Sequence, residues 1–262
     1  MSILMCRPNH YGVEYEINPW MHVDTGVDRD RAGSQWQALY DAYQALGQAV
    51  ELVDPVAGLP DMVFTANAAL VRNGTAVLSR FHHPERQGEE PYWRAAMTDR
   101  GLRVREVSAG TGFEGAGDAL FVGDRLFAGH GFRTDIGAHH ELAKLLDVEV
   151  ISLRLVDPRF YHLDTCFCPL APNVVMFAPH AFTPESARAV RRLVPHVIEV
   201  PPAVARDFVC NGVVVGGHLL SSTGVEQMDV SLRGEGLDST AFPMTEFLKA
   251  GGGVRCLTLE LN

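Results

Sequence analysis

Short apolar runs of strand length alternate with helical patterns about five times along these 262 residues, one round roughly every 50. The strand-like runs are Ser2–Cys6, Glu51–Val53, Ala76–Leu78, Ala119–Val122, Val148–Ser152, Asn173–Phe177, Val213–Val215 and Val254–Leu261. Helical patterns fall between them, from about Arg29 to Gln48, Glu90 to Arg100, Asp135 to Leu146, Pro184 to Val194 and Val225 to Gly234. Thr183 before Pro184 reads as an N-cap and first turn, and Gly47 and Gly101 lie where a left-handed C-cap is wanted. The rounds share no visible sequence identity, so the repeat is one of pattern. It predicts an α/β fold of short sheets set around a pseudo-symmetry axis. Asn67, Glu114, Asp118, His162, Asp164 and Cys256 fall at the ends of apolar runs, and a radial arrangement would bring such ends to one central pocket. No low-complexity segment or long Pro/Ser linker interrupts the chain, so residues 1–262 are read as one domain.

Composition removes several classes of function. A formal net charge of −10 with no basic stripe argues against a nucleic-acid groove. No apolar run reaches the ~18 residues of a membrane span, and the N-terminus lacks a signal-peptide pattern, so a cytoplasmic location is expected. Five cysteines at irregular spacing read as free thiols. Cys166 and Cys168 are one residue apart, without a second Cys/His pair for structural zinc and without the C-x-x-C spacing of a thioredoxin-like site. The adjacent histidines His82, His83, His139 and His140 read as surface or turn residues.

Four segments carry candidate chemistry. Cys256 follows Gly251-Gly252-Gly253-Val254-Arg255, and three glycines imply positive φ or a close approach to the backbone. A thiol lifted into a pocket by such a loop would be favoured as thiolate by a neighbouring positive charge, a cationic substrate included. His162 and Asp164 are two apart and would share one face of a strand, giving a proton carrier beside an anionic recognition point; an edge ion pair is the alternative. Glu114 and Asp118 lie in the glycine-rich Gly112-Phe113-Glu114-Gly115-Ala116-Gly117-Asp118, able to orient an imidazole and hold a cation, or to form a solvated turn. Asp61 and Asn67 interrupt the apolar stretch Pro60 to Leu70. Arg86 and Arg133 offer guanidinium forks suited to a carboxylate, against the default of a surface charge.

Together these segments resemble the guanidino-group-modifying (pentein) family: arginine deiminases, dimethylarginine dimethylaminohydrolases, arginine dihydrolases and arginine:glycine amidinotransferases. The resemblance runs from Arg7-Pro8 to the final strand and is most specific at His162-Leu163-Asp164 and Gly252-Gly253-Val254-Arg255-Cys256. It implies a five-bladed α/β propeller with a central active site. It implies Cys256 as nucleophile, His162 as general acid/base and Glu114 as the acid orienting the histidine or the substrate. Asp164 would hold guanidinium nitrogens, Asp61 would lie near the guanidinium end, and Arg86 and Arg133 would bind the substrate carboxylate. Two departures stand out. Asn67 occupies the place of a second guanidinium-binding aspartate, and the spacing from Glu114 to Asp118 is one residue longer than the usual Glu-x-x-Asp. Asn67, with Ile17-Asn18-Pro19-Trp20-Met21, looks most like the arginine dihydrolases, and Asn18 and Asp118 are counted with the substrate-binding set.

The expected activity is therefore hydrolysis of the L-arginine guanidinium through a covalent cysteine-thiouronium intermediate, without metal or organic cofactor. Ornithine, ammonia and carbon dioxide are the expected products. Citrulline-forming deiminase, dimethylarginine dimethylaminohydrolase and amidinotransferase are the alternatives, with a non-enzymatic arginine-binding module beyond them. The expected partner is a small guanidino substrate, not nucleic acid or membrane, and a homo-oligomer is compatible with the sequence.

Overall fold

The computed structural model describes residues 2–261, and among them fifteen strands form five three-stranded sheets. Four follow the chain: β3 (Ala69–Arg72), β4 (Thr75–Leu78) and β5 (Arg103–Glu106); β6 (Ala119–Val122), β7 (Arg125–His130) and β8 (Val150–Arg154); β9 (Phe167–Ala171), β10 (Val174–Phe177) and β11 (His196–Glu199); β12 (Val213–Val215), β13 (His218–Ser222) and β14 (Asp238–Phe242). The fifth joins β15 (Leu259–Leu261) to β1 (Ser2–Cys6) and β2 (Ala49–Val53), closing the ring with strands from both ends of the chain. This is the five-bladed α/β propeller that the resemblance implies, and it agrees with the roughly fivefold alternation of the sequence.

Every blade is built alike. An inner strand pairs antiparallel with the middle one, and the middle strand pairs parallel with the outer one after a helical crossover. Parallel neighbours require such a crossover, which explains the helices at Arg29–Ala45, Glu90–Asp99, Ile136–Leu146, Pro184–Leu193 and Asp229–Gly234. The side chains of Asp28 and Thr183 cap the first and fourth of these. The inner strands β15, β3, β6, β9 and β12 stand around the axis and line, with Arg255, a cavity of about 320 Å³.

Two local expectations need correction. The strand expected over Val254–Leu261 begins only at Leu259; Gly253 to Thr258 form turns, with Leu257 N donating to Gly253 O and Thr258 N to Arg255 O. His162 and Asp164 do not alternate on a strand, because Leu163–Thr165 is a 3-10 turn closed by Cys166 N on Leu163 O. In both places side chains from other blades satisfy the backbone, and a local turn wins over strand propensity. His139 is also buried, between Ser152 Oγ and Gly129 O, and not at the surface.

Candidate active site

Cys256 lies on its turn with 2% of its surface exposed, and its position follows from the three glycines. Gly251 has φ +76°, and a Cβ there would meet Tyr161 and Trp20. A Cβ on Gly252 would lie 2.2 Å from the Phe64 ring, and one on Gly253 would lie 2.8 Å from Asn211 Oδ1. The backbone beneath the thiol is thus pressed against the segment carrying Asn67, whose Ala66 N donates to Cys256 O at 3.1 Å.

Cys256 Sγ contacts Asp164 Oδ2 at 3.4 Å. Asp164 is fully buried, and burial pushes its carboxyl up to about 7 against the opposing pull of Arg255 and hydrogen bonds from Cys256 and Asn211. Its other oxygen, Oδ1, has no hydrogen-bond partner among the described residues. Burial, then Asp164, also raises the Cys256 thiol well above its usual range.

His162 donates from Nε2 to Glu114 Oε2 at 2.7 Å, and Arg133 Nη1 reaches the same oxygen at 3.0 Å. His82 N donates to Glu114 Oε1 at 3.1 Å. Burial alone would raise the Glu114 carboxyl, but Arg133 and the His162 bond hold it well below the usual carboxylate range. Glu114 is therefore an ionised acceptor that fixes the imidazole with Nδ1 left for other work. A Cβ on Gly117 would lie 3.4 Å from His162 Nδ1 and 2.2 Å from Asn67 Nδ2, so both nitrogens look onto the same bare backbone.

Asn67 is oriented by Arg86, whose Nη1 donates to Asn67 Oδ1 at 2.8 Å. The amide nitrogen is consequently the free end, and Nδ2 is buried without a partner among the described residues. Arg86 is itself buried. Nε and Nη2 bind Glu89 at 2.7 and 3.0 Å, and Nη2 also reaches Asp61 O. Only one N–H, on Nη1, is left from its five. Arg133 is less committed: beyond Glu114 it gives Nη2 to Ile17 O at 2.9 Å, and its guanidinium lies 4.7 Å from the Tyr161 ring centroid. Asp61 is buried, with Oδ1 unpartnered and its carboxyl pushed up to about 6, mainly by burial.

Two further sequence-selected residues hydrogen-bond within the protein. Asp118 gives both oxygens to the protein, Oδ1 accepting from Leu163 N at 3.0 Å and Oδ2 from Thr134 Oγ1 at 2.7 Å. It pins the His162 turn to the Glu114 loop. Asn18 donates from Nδ2 to Ala250 O and accepts from Trp20 N, tying the N-terminal segment to the glycine loop. Asn211, Glu89 and Tyr161 escaped sequence reasoning. Glu89 anchors Arg86, and Tyr161 donates to Gly251 O at 2.8 Å. Cys166 and Cys168 are buried, each with its thiol raised mainly by burial.

Five carboxyls of the site (Asp61, Glu89, Glu114, Asp118 and Asp164) are thus buried, against the guanidiniums of Arg86 and Arg133 and that of Arg255 beside Asp164. Such an excess of buried acid is relieved by protonation or by a cation. A propeller of five α/β blades holding thiol, imidazole and carboxylates at its centre is the architecture of the guanidino-group-modifying proteins. Within that class, the chain belongs to the family described as N,N dimethylarginine dimethylhydrolase, eukaryotic, whose profile matches residues 16–262. It is 48% identical over 267 residues to the bifunctional arginine dihydrolase/ornithine cyclodeaminase AgrE of a Nostoc species, covering 100% of this chain and 38% of that one. It is 41% identical to the N(G),N(G)-dimethylarginine dimethylaminohydrolase of Mycobacterium tuberculosis, covering 98% and 85%. The crystal structure of the product-bound N-terminal domain of ArgZ, an arginine dihydrolase of cyanobacteria, superposes with a TM-score of 0.97 at 46% identity, covering 100% and 97%. The chain spans 38% of the length of the two bifunctional relatives it matches. No helix among the described residues is long and apolar enough to cross a membrane.

Proposed function

We propose that the chain is an arginine dihydrolase, in which Cys256 attacks the guanidinium carbon of L-arginine and two waters convert it to ornithine, two ammonia and carbon dioxide. The observation that carries this reading is the orientation of Asn67. Because Arg86 takes Oδ1, the pocket receives a buried donor, Nδ2, where an aspartate would present an acceptor. Asp164 Oδ1 supplies the acceptor. A donor and an acceptor together match a neutral ureido group, which has a carbonyl oxygen and N–H groups, so the first product is retained for a second attack.

The substrate carboxylate pairs with the uncommitted N–H groups of Arg133 and the one left on Arg86. Asp164 receives guanidinium N–H groups, and the buried acids lower the cation's desolvation cost. The sulfur bonds to the guanidinium carbon while its proton passes by way of His162 Nδ1 to the nitrogen leaving as ammonia. His162 then takes a proton from water, whose oxygen adds to the thiouronium carbon; the C–S bond breaks and the ureido compound forms. A second attack expels the second ammonia and leaves an S-carbamoyl group. Its hydrolysis gives a carbamate, which loses carbon dioxide to yield ornithine. Two solved variants of the ArgZ N-terminal domain support these roles: a cysteine-to-serine mutant bound to substrate, and an asparagine-to-serine form covalently bonded to a reaction intermediate.

Product analysis with L-arginine tests the proposal. Two ammonia per ornithine, without accumulating citrulline, is the expected result; citrulline as stable end product overturns it. The family profile and the mycobacterial relative favour one second reading, release of dimethylamine from dimethylarginine, which the same assay detects.

A further inference from the structure

The side chain in closest hydrogen-bond contact with the Cys256 sulfur is Asn211, from the turn before β12. Its Nδ2 donates to Cys256 Sγ at 3.1 Å and to Asp164 O at 3.1 Å. Its Oδ1 accepts from Arg255 N at 2.9 Å and Cys256 N at 3.3 Å. Asn211 is fully buried, and every hydrogen-bonding position of its amide is used. The orientation leaves no choice: the two backbone N–H groups require the oxygen, so the nitrogen must face the sulfur.

The third glycine of the loop belongs to the same arrangement. A Cβ on Gly253 would lie 2.8 Å from Asn211 Oδ1 and 3.0 Å from Ser222 Oγ, so only glycine lets the nucleophile's backbone close onto this amide. One side chain therefore sets the separation between the sulfur and the turn that carries Asp164 and His162.

We infer that Asn211 is a catalytic residue of this site, donating a hydrogen bond that strengthens as Cys256 becomes a thiolate. A neutral thiol is a weak acceptor, whereas a thiolate receives a charge-assisted bond, so the contact favours the nucleophile over its resting form. The bond acts again whenever sulfur departs from the substrate carbon. It is needed because the other sulfur neighbour, Asp164, is an acid that disfavours negative charge on sulfur. The inference rests on the nucleophile role proposed above, but its test does not require turnover.

The experiment compares the full chain with Asn211→Asp, which keeps an oxygen for the two backbone N–H groups and replaces the donor by a second acceptor. Alkylation of Cys256 by neutral iodoacetamide is followed across pH by peptide mass, with thermal unfolding as a check on the fold. The pH profile of the variant is expected to move up by about one unit or more, with kcat on L-arginine falling about 100-fold and KM changing less. Asn211→Ser, neutral and shorter, gives the second measurement if the aspartate form does not fold, with an upward shift again expected. A folded variant whose alkylation profile coincides with that of the parent overturns the inference. Two variants that both fail to fold also overturn it, because Asn211 is then a structural element only. A parent with no arginine turnover but a shifted variant profile overturns the arginine dihydrolase reading and leaves the hydrogen bond from Asn211 to the Cys256 thiolate standing.

Discussion

Glu114 Oε2 receives His162 Nε2 at 2.7 Å and Arg133 Nη1 at 3.0 Å, so one buried oxygen both orients the imidazole and neutralises a guanidinium. The carboxylate is held ionised by these partners against the opposing effect of burial. The ionised carboxylate therefore faces, across a 2.7 Å hydrogen bond, the ring that carries the proton in the proposed reaction. Glu114→Gln keeps the shape and removes the charge. It is expected to lower kcat on L-arginine about 100-fold, with a smaller change in KM, as steady-state kinetics would show. Unchanged kcat would mean that His162 works without this acid.

The pairing of Arg86 with Asn67 leads to a prediction about product. Asn67→Asp retains an oxygen for Arg86 Nη1 but turns the free end from donor to acceptor. The cationic guanidinium is then held as well as before or better, and the neutral ureido group loses its donor. Citrulline is expected to accumulate at the expense of ornithine, with arginine consumption within about tenfold of the parent, a loss of roughly 1.4 kcal/mol at most. An unchanged product ratio would show that Asn67 does not sort the two stages.

The alternation of strands and helices was legible because each blade repeats the same burial problem: an inner pair of apolar strands and one helix that must cover them. The outer strands were harder to see. Arg103–Glu106 reads Arg-Val-Arg-Glu and Asp238–Phe242 begins Asp-Ser-Thr, so their membership comes from the partner strand and not from their own hydrophobicity. Cys256, His162 and Glu114 stood out because a thiol, an imidazole and an acid beside glycines are chemically conspicuous. Asn211 did not. Val209-Cys210-Asn211-Gly212 looks like a simple turn, and its value comes from contacts 45 and 47 residues away. Asp118 stood out as an acid in a glycine-rich bend, but its hold on Leu163 N and Thr134 Oγ1, one bond to each oxygen, was not legible there.

Gly252 separates a structural demand from a chemical one. A Cβ there would stand 2.2 Å from the Phe64 ring, itself 4% exposed and packed edge-on to Tyr11 and Phe247. The ring has nowhere to move without disturbing the turn that carries Asn67. Gly252→Ala is expected to destabilise the protein by about 1–3 kcal/mol, read by urea or thermal unfolding, and to reduce turnover as well. Full stability in this variant would mean that the loop can slide and that the sulfur is not fixed by Phe64.

Asp164 makes ligand binding depend on pH with a definite sign. Burial raises its carboxyl from the ordinary 3.8 to about 7, so between those values the folded, ligand-free chain keeps a proton that the unfolded chain has lost. Its contribution to stability is therefore a cost that grows as pH rises from about 4 to about 7 and is constant above. A guanidinium cation binds the ionised form, so binding releases this proton wherever the free protein holds it. In Cys256→Ser, which removes the nucleophile and so prevents turnover, the affinity for L-arginine is expected to rise with pH up to about tenfold per unit below 7 and to level off above. The stabilisation of that variant by L-arginine against heat should grow in the same interval. Calorimetric titration at pH 5.5, 6.5, 7.5 and 8.5 in buffers of different ionisation enthalpy counts the proton directly. An affinity that does not change across this series would show that Asp164 is already ionised without ligand or does not meet the guanidinium.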